Sequence, residues 1–157
     1  DGYFRDPVTT ADVFDERGFF KTGDVATVDT GGRVTFVSRV KDMLKVGGEN
    51  VAAAEVEGYL LTHPSVQIAQ VVSAPDAKYV EVPAAYIELK PGASATEEEI
   101  VDFCRGKIAT FRIPRYVRFV DEWPMSGTKV KKYVLREQIA KELADAGITE
   151  APQITSG

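Results

Sequence analysis

The constraint that most narrows the fold is the order in which two hydrophobic periods alternate after residue 41. Val56, Tyr59 and Leu60 recur at helical spacing, with Glu55 and Glu57 as the polar positions. Asn50 is placed to cap that helix, predicted over about 51–61, and His63-Pro64 to end it. Residues 66–72 form a short apolar run, the mark of a buried strand. Ala85, Ile87 and Leu89 then alternate with Tyr86, Glu88 and Lys90, which predicts a half-buried strand before the Pro91-Gly92 turn. Thr96 and Glu99 make a capping box for a helix whose apolar face is Ile100, Phe103, Cys104 and Ile108. Val117 and Phe119 mark a strand, and Leu135, Ile139 and Leu143 stripe a last helix over about 132–146, stopped by Gly147. The order β-α-β-β-α-β-α predicts an α+β fold, a small mixed β-sheet with helices packed on one face. Upstream, residues 1–32 show little periodicity and predict a strand-and-loop lead-in, followed by a strand around Val34, Phe36 and Val37. The polar tail, 149–157, is expected to be flexible.

Composition removes several classes of function. The chain has 157 residues, enough for a core without disulfides or metal. Acidic residues number 24 against 19 basic ones, and the resulting charge of −5 disfavours nucleic acid and anionic membranes as partners. No apolar run approaches a membrane span. A single cysteine, Cys104, excludes an internal disulfide and suits a reducing compartment, here expected to be the cytoplasm. The chain begins without methionine, and a longer gene product is expected upstream.

The polar residues gather in a few segments. Asp24 follows Thr22-Gly23 at a turn and suits either a self-satisfied turn or a carboxylate accepting hydrogen bonds from a vicinal diol. Arg39 and Lys41 flank Val40 and would share one side of an extended segment, with Lys45 four residues beyond. Gly47-Gly48 reads as a hairpin turn, or as a place where a thin ligand approaches backbone closely. Lys129 lies on Ser126-Gly127-Thr128-Lys129, from which an ammonium can reach a phosphate. Phe111 and Arg115 set an aromatic face beside a guanidinium, suited to a nucleotide or to an ordinary helix-to-strand connection. No zinc or serine-nucleophile motif is present, and no metal ligands are assigned.

In their order, these segments resemble the C-terminal part of the adenylate-forming superfamily, which contains acyl-CoA synthetases, luciferase and peptide-synthetase adenylation domains. The resemblance is carried by Phe20-Lys21-Thr22-Gly23-Asp24, Arg39-Val40-Lys41-Asp42, Gly47-Gly48-Glu49-Asn50 with Glu55-Val56-Glu57, and His63-Pro64-Ser65-Val66. It implies a carboxylate–CoA ligase that forms an acyl-adenylate from ATP and then a thioester with CoA. Residues 1–40 would then be the end of a large N-terminal domain and the hinge, residues 41–148 a C-terminal lid, and 149–157 a tail. Asp24 and Arg39 would bind the ribose of ATP, Lys41 would be the hinge, and Lys129 would reach the carboxylate and α-phosphate. Lys45, Gly47 and Gly48 would face the CoA thiol arm, and Phe111 and Arg115 the CoA nucleotide. Mg2+ and the carboxylic acid would be held mainly by the large domain, and this fragment alone would be inactive. The sequence departs from the family pattern at Thr128, where glycine usually precedes the lysine. The ending from Lys129 to Glu137 looks more like a fatty or aromatic acyl-CoA synthetase than a peptide-synthetase module. Alternatives are a non-catalytic CoA- or protein-binding module and an adenylation domain serving a carrier protein.

Overall fold

A computed structural model describes residues 2–154, and the chain divides into two compact units at the Lys41–Asp42 bond. In the first unit, helix α1 (Pro7–Val13) precedes a hairpin of β1 (Asp24–Val28) and β2 (Val34–Arg39). The helix lies where only strand and loop were expected. Its signal was local: Asp6 accepts a hydrogen bond from the Thr9 N–H at 2.9 Å, and Pro7 occupies the first turn. With no buried residue in α1, there was no apolar period to read.

The second unit is built on one five-stranded sheet. Its strands are β3 (Met43–Val46), β4 (Glu49–Ala52), β5 (Val66–Asp76), β6 (Val80–Leu89) and β7 (Tyr116–Phe119). Three helices, α2 (Ala53–Leu60), α3 (Glu97–Cys104) and α4 (Lys132–Asp145), pack on it. A small hairpin, β8 (Met125–Ser126) and β9 (Lys129–Val130), precedes α4. β5 runs antiparallel along β6 from Val66↔Leu89 to Asp76↔Val80 and so occupies one edge of that strand completely. β3 and β7 therefore share the other edge, β3 at Val80 and β7, parallel, at residues 84–87.

Two separate cores flank this sheet. On one face Val71, Ala85 and Ile87 meet Val56 and Leu60 of α2 and Ile100 and Cys104 of α3. On the other, Val72, Ala84 and Tyr86 meet Leu135, Ile139 and Leu143 of α4. The expectation of helices on one face is corrected accordingly. β6 is buried on both sides because Tyr86, which reads as a solvent position, buries its ring and donates its hydroxyl to the Leu135 carbonyl at 3.0 Å.

The capping box of α3 forms as expected, with Thr96 and Glu99 exchanging hydrogen bonds. Ile108 lies beyond that helix, which ends at Cys104. Burial pushes the Cys104 thiol up to about 11, so it stays protonated and inert. Asn50 caps nothing. It lies in β4 opposite Lys45, and α2 starts from Ala52 without a side-chain cap. Gly147 closes α4 with φ of 66°.

The expected loose tail is anchored as far as the described residues go, and 155–157 lie outside them. Ala77 N–H donates to Thr149 O, Ala151 N–H donates to the buried Asp76 carboxylate, and Arg115 Nη1 donates to Pro152 O. Asp76 also accepts from the Lys78 and Tyr79 N–H groups. Burial pushes its pKa up, but the three backbone donors and the nearby Arg115 outweigh this and hold the carboxyl below its ordinary 3.8. The sign is that of a depressed acid: its stabilisation is full above 3.8 and is lost as pH falls through the lower folded value. Asp76→Ala is expected to cost roughly 2 kcal/mol at pH 7, leaving buried donors unpaired. Denaturant midpoints measured against pH should show that gap closing below 3.8; a gap independent of pH would contradict the assignment.

Candidate active-site surfaces

Asp24 and Arg39 are brought together by register. They face each other at the open end of the β1–β2 hairpin, with Arg39 Nε 3.1 Å from Asp24 Oδ1. A carboxylate has about four acceptor positions, so this single contact leaves capacity for the hydroxyls of a diol. Thr22 Oγ1 accepts from the Asp24 N–H at 3.1 Å and sets the turn. Lys41 does not continue the strand alternation with Arg39. The strand ends at Arg39, and exposed Lys41 sits in a 3-10 turn, Val40–Asp42, at the boundary between units.

Gly47-Gly48 is the two-residue loop of the β3–β4 hairpin, closed by the Val46↔Glu49 pair. Both φ angles are positive, 58° and 93°, as a tight primed turn requires. A Cβ on Gly47 would lie 3.0 Å from Tyr79 Cδ1, whereas one on Gly48 would meet nothing within 4 Å. Gly48 thus leaves an open strip of backbone beside the exposed Lys45. The loop is braced from below: Gly47 N–H donates to Tyr79 O at 2.8 Å, and Lys45 N–H to Glu81 Oε2 at 3.0 Å. Val80, next to Tyr79, has φ of 69°, a strained angle for a β-branched residue. No sequence pattern announces such an angle.

Lys129 is exposed on the β8–β9 hairpin, opposite Ser126, with Gly127-Thr128 as the loop and Gly127 at φ of 60°. Trp123, just before the hairpin, donates Nε1–H to Glu88 Oε2 at 2.5 Å, and Lys131 N–H donates to Pro124 O at 2.7 Å. The two basic loops are therefore braced at different ends of one strand. Glu81, under Lys45, and Glu88, beside the Lys129 hairpin, lie in β6, roughly 23 Å apart at ~3.3 Å per residue. They also have opposite parity, so they belong to opposite faces.

Phe111 and Arg115 have different immediate partners. Phe111 packs against the α2/α3 core from a 3-10 turn, Thr110–Arg112. Arg115 lies 5.7 Å from the Tyr79 ring centre, and its Nη1 donates to Pro152 O at 2.9 Å. Arg115 also lines a cleft of about 200 Å³ with Glu97, Val101 and Ile154. Among the described residues, no group of three His, Cys, Asp or Glu side chains could hold a metal ion, and no helix is long and apolar enough to cross a membrane.

Comparison with known proteins resolves what these loops belong to. The family described as AMP-binding enzyme C-terminal domain matches residues 55–132, about half of the chain. The chain belongs to this family. The human mitochondrial medium-chain acyl-CoA ligase ACSF2 is 43% identical over 143 residues, covering 90% of this chain and 23% of the ligase. Among solved structures, ATP-bound MatB from Rhodopseudomonas palustris matches with a TM-score of 0.83 at 34% identity, over 90% of this chain and 28% of MatB. Apo MatB matches over the same shares at 35% identity with a TM-score of 0.67. A Mycobacterium tuberculosis fatty acyl CoA synthetase matches at 0.65 with 36% identity, over 90% of this chain and 28% of that one. The chain thus spans about a quarter of the length of these relatives.

The brace beneath the glycine loop gives a stability prediction. Val80 is 73% exposed, so replacing it sacrifices little packing. Val80→Gly is expected to stabilise the chain by about 1 kcal/mol, after the entropic cost of glycine offsets part of the strain relief. Thermal unfolding should register this as a rise of a few degrees; a fall would show that the angle carries no strain.

Proposed function

We propose that this chain is the C-terminal lid of an ATP-dependent carboxylate–CoA ligase, working with a large N-terminal domain that supplies the acyl pocket, the phosphate loop and the Mg2+ site. The observation that carries the reading is the placement of two exposed lysines on loops braced at opposite ends and faces of β6. In the first half-reaction a carboxylate oxygen attacks the α-phosphorus of ATP and pyrophosphate leaves. Negative charge builds between the reacting groups, and the Lys129 ammonium at a hairpin tip suits that role. Asp24 would accept the ribose hydroxyls, with Arg39 holding its carboxylate in place.

In the second half-reaction the CoA sulfur attacks the acyl carbon and AMP departs. A lysine lodged against the phosphate would obstruct the incoming thiol. The open Gly48 backbone beside Lys45 offers a slot for a thin pantetheine arm instead. Because the two loops are braced at different ends of the sheet, exchanging one for the other calls for rotation of the whole unit. Lys41, at the boundary between units, is the proposed hinge. Phe111 and Arg115 would contact the CoA nucleotide. By itself the chain should be inactive, and the single buried thiol suits the cytoplasm.

The test is the pair of half-reactions in the full-length enzyme. Lys129→Ala is expected to lower carboxylate-dependent ATP–pyrophosphate exchange by at least 100-fold while sparing thioester formation from supplied acyl-adenylate. Lys45→Ala should show the reverse bias. Equal loss in both half-reactions for both variants would defeat the two-surface reading. Absence of exchange with short, long and aromatic acids alike would favour a non-catalytic binding module.

A further inference from the structure

The sequence assigns Glu57 to the polar side of α2, yet its side chain is only 15% exposed and that of its partner Lys132 only 19%. Lys132 Nζ donates to Glu57 Oε1 at 2.6 Å. The same oxygen accepts the Val71 N–H of β5 at 2.7 Å. β6 already occupies one edge of β5, and β5 ends the strand order, so Glu57 closes part of an otherwise open strand edge. The ion pair ties α2, from one face of the sheet, to the first residue of α4, from the other.

Such a pair is a poor device for stability alone. Withdrawing two charges from water costs several kcal/mol per ion, and apolar residues can fill the same space at no net loss. Its geometric consequence is larger. Lys132 lies three residues after Lys129, at the start of the helix that follows the β8–β9 hairpin. The α4 N-terminus has no side-chain cap. Trp123 and Glu88 fix the entry to the hairpin, and Lys132 and Glu57 fix its exit. With both ends held, the Lys129 hairpin is aimed by the sheet rather than carried on a free loop.

We infer that Glu57 and Lys132 are positioning residues for Lys129, holding the exit of its hairpin so that the ammonium reaches the reacting phosphate; this rests on the adenylation role proposed for Lys129. Lys132→Met keeps the length of the side chain and removes its charge, while Lys132→Arg keeps the charge. In the full-length enzyme, Lys132→Met is expected to lower kcat for ATP–pyrophosphate exchange about tenfold, since small misplacements of a reacting group are costly. KM for ATP and thioester formation from supplied acyl-adenylate should stay within about twofold of the parent. Lys132→Arg should restore most of the exchange rate. Glu57→Gln, which keeps an acceptor for Val71, should reproduce the Lys132→Met defect, and the double variant should be no worse than either single one.

Lys129→Ala is measured alongside. If it abolishes exchange while Lys132→Met leaves exchange unchanged, positioning is overturned and the lid reading stands. Exchange unaffected by Lys129→Ala would overturn the lid reading itself. Equal depression of both half-reactions by Lys132→Met, accompanied by a lower melting temperature, would mark the pair as merely structural and also overturn the inference.

Discussion

Burial of β6 on both faces is the constraint to which the rest of the second unit is referred. One edge is filled by β5 along its length, and the other is divided between β3 and β7. Helices α2 and α3 cover Ala85 and Ile87, while α4 covers Ala84 and Tyr86. A strand enclosed in this way has little freedom to move. Loops braced at its two ends therefore keep a fixed relation to one another. The Gly47-Gly48 hairpin takes its support from Tyr79 and Glu81 at the start of β6, and the Lys129 hairpin from Glu88 near its end.

This rigidity bears directly on chemistry. In the proposed reaction an acyl-adenylate would be made at a crowded, charged centre and consumed by a thiol that needs the same space. A rigid body carrying two different surfaces would meet both needs by reorientation, without refolding either loop. The charged side chains near the loops act chiefly as braces. Glu57, Glu81 and Glu88 each accept a hydrogen bond from a neighbouring strand or loop, and Asp76 gathers three backbone N–H groups at the turn that leads to Tyr79. The family match over residues 55–132 covers β5, β6, β7, most of α2, α3 and the Lys129 hairpin, and begins just after the Gly47-Gly48 hairpin.

Much of this was legible in the chain. The capping box at Thr96 and Glu99, the Leu135, Ile139 and Leu143 stripe and the Gly147 stop are local signals, and each forms where the pattern placed it. Asp24 and Arg39 are paired by strand register, which a motif can imply but only the hairpin fixes. What escaped depended on distant partners. Tyr86 reads as a solvent position until α4 covers it, and Asn50 reads as a cap until β3 claims it for a hairpin. Glu57 reads as a solvated helix residue until Lys132, far along the chain, arrives beside it. The anchored terminal segment was missed for a similar reason, since its partners Asp76, Ala77 and Arg115 lie in other elements.

The central claim is that one rigid unit presents the Lys129 hairpin and the Lys45 surface to the same centre in turn. Distance measurement between spin labels tests it most directly in the full-length enzyme. One label belongs on the large domain beside the nucleotide, and the second at Thr128 in one sample and at Asn50 in another. With ATP and a carboxylate, the account predicts a short distance for Thr128 and a long one for Asn50. On formation of the adenylate and addition of CoA, the two should exchange. Distances that stay fixed through both half-reactions would contradict the account.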